Sequence, residues 1–222
     1  MSISYTYFDC HTHKKYKDDQ VFFIRNAFHH LNTLQLNKIT YHFSLGIHPW
    51  DVRANDKASI EQIRRSVLHP RCVAIGETGL DYYIKTDKTL QKQVFEEHIQ
   101  LANELNKVII VHCVRAYHDL APMLKQAKVP TILHQYLGNE QITTELLKLP
   151  NVYFSYGKQL FSEHFNETVF EKIPRNRLLL ESDQLPVHIE DVYEKLCLLS
   201  DLDFEELIHQ MKFNFNALFP QV

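Results

Sequence analysis

Glycine is scarce, with five residues in a chain of 222. None belongs to a G-x-G-x-x-G or G-x-x-x-x-G-K-[ST] loop, so the nucleotide cradles of dinucleotide-binding and P-loop folds are excluded. Long apolar runs are lacking too: none approaches the roughly 18 residues that cross a bilayer, and no membrane association is expected. The N-terminal MSISYTYFDCHTH has no basic segment followed by an apolar core, so no secretory leader is expected. The four cysteines (Cys10, Cys72, Cys113, Cys197) are scattered without a close pair. That excludes a small disulfide framework and suits a reducing, cytoplasmic setting. Excess charge of one sign is also missing, since 24 Lys and Arg meet 27 Asp and Glu for a net charge of −3. A broadly basic nucleic-acid coat protein is thereby excluded, but not an enzyme that holds phosphates through metals or a local patch. No Pro/Gly/Ser linker, low-complexity tract or repeat divides the chain, and its length suits one domain over 1–222.

Hydrophobic residues at 45% and charged residues at 23% give an ordinary globular composition. Short apolar runs rich in β-branched and aromatic residues occur at 5–10, 21–25, 39–46, 72–76, 108–112, 131–134, 152–156 and 177–181. Most lack polar alternation, as strands buried on both faces of a parallel sheet do. Amphipathic helical stretches lie between most of them, at 57–69, 87–106, 116–128, 139–149 and about 160–172. The tail 188–219 reads as two more helices, the second opening with Asp203 as N-cap and Glu206 three residues on. Strands alternating with helices in this number predict an α/β protein of the TIM-type (β/α)8 class, against the alternative of an open doubly wound sheet. The KKYKDDQ-like link between the first two strands is too short and polar for a helix, so the first barrel helix is expected to be missing.

Histidine is abundant, with fourteen residues, and ionisable side chains cluster where the predicted strands end. Strand one ends in Asp9-Cys10-His11-Thr12-His13, where His11 and His13 share a face with Asp9 behind them. By the same alternation Cys10 faces away from His11, and Cys113 away from His112. Further strands end in Gly46-Ile47-His48-Pro49, Gly76-Glu77-Thr78-Gly79-Leu80-Asp81, His112, His134, Tyr156-Gly157 and Glu181-Ser182-Asp183. In a barrel these termini meet on one rim, the active-site end of the fold. A single H-x-H, or His48 alone, is an ordinary structural feature; joint placement on the same end of several strands is not. All five glycines also lie within four residues of these positions, where small residues admit close approach. Imidazole with carboxylate suits Zn²⁺, and carboxylate-rich mixtures also admit Mn²⁺ or Mg²⁺. Four imidazoles and two carboxylates exceed the needs of one ion and suffice for two sharing a bridging carboxylate. The remaining histidines (His29, His30, His42, His69, His98, His118, His164, His188, His209) read as structural or surface residues.

With these motifs the sequence resembles the TatD family of metal-dependent hydrolases, within the amidohydrolase-like barrels. The resemblance rests on D-x-H-x-H (9–13), GIHP (46–49), GETGLDYY (76–83), His112-Cys113, His134, LLLESDQLP (178–186) and an N-F-x-x-L-F-like end from Asn214 to Phe219. It implies a site for two divalent ions (Zn, Mn or Mg) in which His11, His13, Glu77 and Asp183 hold one. Glu77, His112 and His134 would hold the other, Glu77 bridging. It further implies a deoxyribonuclease cleaving phosphodiester bonds with a metal-activated water; from its own position at the end of the last strand, Asp183 is expected to accept the proton of that water. His48 and Arg115 are expected to meet phosphate, and Tyr82, Tyr83 and Trp50 to stack on a base, although Trp50 could equally pack under a loop. Lys14, Lys15 and Lys17 form the one basic run, read as a phosphate guide or a solvated loop.

The sequence departs from the family pattern in three places. Val114 stands where the family has an arginine, with Arg115 one position later; the R-G-K-x-N-E-P segment after the last aspartate is absent; and the first inter-strand connection is short. Two other readings compete with a DNase. One is a metallohydrolase of the same barrel acting on an amide, ester or lactone. The other is a partner-dependent subunit with latent activity. No oligomeric contact is legible, and a monomer is the expectation.

Overall fold

The apolar runs fold as eight parallel strands that neighbour one another in chain order. The computed structural model describes residues 6–27, 38–53, 57–163, 165–200, 202–220 and 222; His29, His30, His164 and the start of the first apolar run lie outside them. The strands are β1 (Tyr7–Thr12), β2 (Val21–Asn26), β3 (His42–Leu45), β4 (Cys72–Asp81), β5 (Val108–Val114), β6 (Thr131–Leu133), β7 (Val152–Tyr156) and β8 (Leu178–Leu180). Sequential parallel pairing excludes the doubly wound order, in which strand succession reverses. The sheet closes at one seam, where Thr12 and Asp183 form a parallel bridge. There the Asp183 N–H donates to His11 O (3.0 Å) and the His13 N–H donates to Asp183 O (3.1 Å). The barrel therefore closes through the same residues that carry its H-x-H and final aspartate.

The helices are α1 (Lys57–Ser66), α2 (Lys88–Leu105), α3 (Tyr117–Leu124), α4 (Glu140–Leu147), α5 (Glu167–Glu171), α6 (Ile189–Leu199) and α7 (Phe204–Leu218). Residues 13–20, between β1 and β2, contain only bends and turns, so the first barrel helix is missing as expected. Asp203 caps α7, its carboxylate accepting the N–H groups of Glu205 (2.9 Å) and Glu206 (3.2 Å). Two elements differ from expectation. β4 runs on through the whole of GETGLD to Asp81, five residues beyond the apolar run at 72–76. The helix expected over about 160–172 is a 3-10 turn at Lys158–Phe161 followed by the short α5. No helix among the described residues is long and apolar enough to cross a membrane.

Alternating side chains of the strands fill two layers. Ile75, Val111, Leu133 and Phe154 face outward under the helices, while Phe8, Cys10, Ile24, Ile110 and Ile132 fill the barrel. Phe215, Leu218 and Phe219 of the C-terminal motif close its floor, the Phe215 ring lying 5.0 Å from Phe8 and 5.1 Å from Phe22. Phe215→Ala is accordingly expected to cost about 3–5 kcal/mol, the range for an aromatic lost from a packed core. Urea unfolding should read this loss, while metal binding at the opposite end persists; an unchanged midpoint would remove Phe215 from the core.

Cys10 is a correction. Strict alternation turns it away from His11, but the β1/β2 register shifts between Asp9 and Thr12. Cys10 lies inside the barrel, with Sγ 4.0 Å from Glu181 Oε2. Cys113 packs in the outer layer with Ala116, as alternation requires. All four cysteines are free thiols.

Candidate metal centre

The carboxylate of Glu77 occupies the middle of the rim. Its strand can pass there because Gly79, at φ +141°, has no Cβ: one would overlap the His112 carbonyl oxygen. Bare backbone thus lets β4 and β5 meet where Glu77 and His112 face each other. The two carboxylate oxygens of Glu77 have different neighbours. Oε2 lies 3.3 Å from His11 Nε2, 3.8 Å from His13 Nε2 and 3.0 Å from the donating Asn26 Nδ2. Oε1 lies 2.9 Å from His112 Nδ1, 3.2 Å from His48 Nε2 and 3.5 Å from His134 Nε2. Asp183 Oδ1 completes the first side, 3.4 Å from His13 Nε2 and 3.8 Å from His11 Nε2. Donor atoms of three triplets each fall within 4.8 Å of one another: His11, Glu77 and His134; His11, His13 and Asp183; His48, Glu77 and His112.

These donors fit a divalent cation on internal grounds. His11 is fully buried, yet neither ring nitrogen has a hydrogen-bond partner. A buried imidazole left so is costly unless a cation takes its lone pair. The field at the site is negative. Burial lowers the pKa of His134, but Glu181 and Glu77 raise it further, to about 10. Burial likewise works against the His112 imidazolium, and hydrogen bonds to Asp81 and Glu77 prevail and raise it. Burial pushes Glu77 up, but the imidazoles of His134, His11, His112 and His13 hold it well below the usual carboxylate range. Carboxylates that pull protons onto imidazoles attract metal cations equally, and a cation binds by displacing those protons.

Outer groups orient the donors. Asp81 Oδ2 lies 3.2 Å from His112 Nε2, which leaves Nδ1 facing Glu77. Burial raises the Asp81 carboxyl, but His112, Trp50 and the Tyr83 N–H lower it to about 2. Glu181, fully buried, lies 2.7 Å from His134 Nδ1 and accepts a 2.5 Å hydrogen bond from Ser155 Oγ. Asp9 sits behind β1 as expected, touching no imidazole: it accepts the N–H groups of Ser182 (3.0 Å) and His11 (3.3 Å) and lies 2.9 Å from the Tyr16 hydroxyl. Tyr16, on the helix-less link, thereby ties the β1 end to the segment that carries Asp183.

His48 differs from the other imidazoles. It opens the 3-10 turn Pro49–Asp51 and accepts the Trp50 N–H at Nδ1 (3.2 Å). With that lone pair used, a neutral ring carries its proton on Nε2 and acts there as donor rather than ligand. Arg115 and Tyr83 lie on the exposed margin, the guanidinium 4.9 Å from the ring centroid. Tyr82 is engaged elsewhere: its hydroxyl donates to Asp119 Oδ2 of α3 (2.5 Å), and Lys88 Nζ lies 4.5 Å from its ring. Among the lysines of the first link, Lys14 donates to Val187 O (2.7 Å) and pins the segment after β8, and Lys15 lies over the Tyr41 ring. Asn26, and the parts played by Asp81 and Glu181, were not visible in the sequence. Asn26 ends VFFIRN, which has no motif, whereas Asp81 and Glu181 lie inside GETGLDYY and LLLESDQLP.

A parallel barrel with this donor set at the C-terminal rim defines a hydrolase of the metal-dependent barrel class. The family described as TatD related DNase matches residues 11–220. An uncharacterized metal-dependent hydrolase of Escherichia coli K12 is 34% identical over 197 residues, covering 80% of this chain and 73% of that protein. One from Bacillus subtilis is 31% identical over 195 residues, covering 79% and 76%. The human 3′-5′ RNA nuclease TATDN2 is 30% identical over 162 residues, 69% of this chain but 21% of that protein. A crystal structure of a TatD homologue from Escherichia coli has the same fold, with a TM-score of 0.83 at 23% identity over 97% of this chain and 98% of that one. The chain belongs to the TatD family of metal-dependent hydrolases.

Proposed function

We propose that this chain is a two-ion phosphodiesterase acting on DNA. The observation that carries the reading is the division of Glu77, one oxygen toward His11 and His13 and the other toward His112 and His134. His11, His13, Glu77 and Asp183 would hold one ion, and Glu77, His112 and His134 the other. Such ions, Zn²⁺, Mn²⁺ or Mg²⁺, supply charge neutralisation at phosphate and a water of lowered pKa. Asp183, partly open to solvent beside the H-x-H pair, accepts the proton of the attacking water. His48 Nε2–H and the Arg115 guanidinium donate to phosphate oxygens, the arginine making up for Val114 at the family's arginine position. The whole chain, 1–222, serves as one metallohydrolase domain, a cytoplasmic monomer. The human relative, named as a nuclease, supports a nucleic-acid substrate.

Purified protein with each metal, tested on single-stranded DNA, duplex DNA, RNA, a base-free phosphodiester and a carboxylic ester, amide and lactone, decides between the readings. Phosphodiester turnover supports the proposal; turnover of only the carbonyl substrates replaces it. Arg115→Ala is expected to slow phosphodiester cleavage about ten- to a thousand-fold, the range around the loss of one electrostatic stabiliser. Unchanged turnover would remove Arg115 from the phosphate site.

A further inference from the structure

His98, read from the sequence as a structural residue, is buried on α2 and reaches the segment that carries His48. Its two ring nitrogens meet partners of fixed role. Nδ1 lies 2.7 Å from the Val94 carbonyl oxygen, which can only accept, so the ring proton sits on Nδ1. Nε2 lies 3.1 Å from the Ile47 nitrogen, whose N–H can only donate, so Nε2 keeps its lone pair. The ring is therefore neutral and of one tautomer. The pairing of β3 with β4 ends at Leu45 and Ile75, and the buried Ile47 N–H finds its acceptor in His98 instead. Between them stands Gly46, pressed on β4 so closely that a Cβ would lie 2.8 Å from Gly76 Cα. Glycine leaves the direction of the following chain open. His48 comes next, with Nε2 3.2 Å from Glu77 Oε1 and 3.3 Å from His112 Nδ1.

We propose that His98 is the positioning residue of His48: by holding the Ile47 N–H it fixes the turn after Gly46 and aims His48 Nε2–H at the substrate. That the target is a phosphate rests on the phosphodiesterase reading above. The Trp50 N–H on His48 Nδ1 (3.2 Å) sets the ring within its own turn, but ring and turn move together when Ile47 is released. His98 touches no reacting group and acts only through this bond. Displacing a catalytic group by about 1 Å from a distance can cost a hundred-fold in rate. The shape of the His98 ring also makes the bond separable from its packing. Glutamine places an amide oxygen near the Nε2 position and can accept the Ile47 N–H, whereas asparagine reaches only as far as Nδ1.

The test is a double-mutant cycle on the metal-loaded full chain: parent, His98→Leu, His48→Ala and the double variant. Turnover is measured on a base-free phosphodiester, a carboxylic ester and a lactone, and binding on inorganic phosphate. His98→Leu should slow turnover about ten- to a hundred-fold in the parent, and by about two-fold at most once His48 is gone. His98→Gln should restore most of the loss and His98→Asn should not; this pair makes the same comparison if His98→Leu fails to fold. Metal content should stay unchanged, since neither His98 nor His48 is assigned to an ion. Hydrogen exchange at the Ile47 amide should quicken in His98→Leu and slow again in His98→Gln. Equal slowing with and without His48, or an Ile47 amide unmoved by His98→Leu, overturns the proposal and leaves His98 as packing behind β4. Coupling seen only on the ester or lactone, with phosphate binding unmoved, keeps His98 as the positioning residue and rejects the phosphodiesterase reading. Phosphodiester turnover with independent effects of the two substitutions does the reverse.

Discussion

Glu77→Gln should strip both ions from the protein and reduce phosphodiester turnover by about a thousand-fold or more, at or beyond the upper range for one electrostatic stabiliser. Glu77 is the charged group whose two oxygens face the two imidazole sets, His11 with His13 and His112 with His134. An imidazole offers one lone pair to one ion, whereas a carboxylate can bind an ion through each oxygen. Its negative charge also offsets the repulsion between cations held close together. The amide of glutamine keeps one acceptor and turns a donor toward the other side, so neither ion retains its shared charge. His134→Ala, by contrast, should weaken mainly one ion, because the His11, His13 and Asp183 donors remain grouped. The melting temperature of the metal-free protein should change less than metal content, since the barrel is packed by Phe8, Ile24, Ile110 and Ile132. Elemental analysis per chain checks the contrast. Two ions retained by Glu77→Gln would defeat the bridging assignment.

The barrel was legible because its signals are local: apolar runs of strand length, helical periodicity between them, and a first link too short for a helix. Convergence of His11, His13, Glu77, His112, His134 and Asp183 followed from the fold, since every parallel strand delivers its C-terminal end to the same rim. Legibility failed where direction depends on tertiary detail. Alternation misplaced Cys10 because the β1 register shifts between Asp9 and Thr12. Tyr82 and Tyr83 are identical in chemistry, and only the position of Asp119 on α3 decides that Tyr82 is engaged and Tyr83 exposed. The bond from Trp50 to Asp81 joins a 3-10 turn to the last residue of β4, 31 residues apart, which no local pattern encodes. Asn26 reaches Glu77 across 51 residues for the same reason.

Glu181→Gln should weaken the ion beside His134 about ten- to a hundred-fold and leave the ion beside His13 and Asp183 nearly as tight as before. The side chain is fully buried, and its Oε1 lies 2.7 Å from His134 Nδ1. A carboxylate behind a ligating imidazole fixes the tautomer, so that Nε2 faces the metal, and raises the basicity of the ring; losing such a partner has that range of effect. Glutamine preserves the volume, so the test separates charge from packing. Glu181→Ala would mix the two, because it leaves the His134 imidazole and the Ser155 hydroxyl, now 2.5 Å from Oε2, without their partner in a buried place. Ser155→Ala should follow Glu181→Gln in direction with a smaller effect, since it removes only one hydrogen bond from a carboxylate that keeps its charge. Competition with a chelator, followed at both affinities, reads the two ions separately. Equal weakening of both, or no weakening of either, would mean that Glu181 supports the floor of the site as a whole rather than His134.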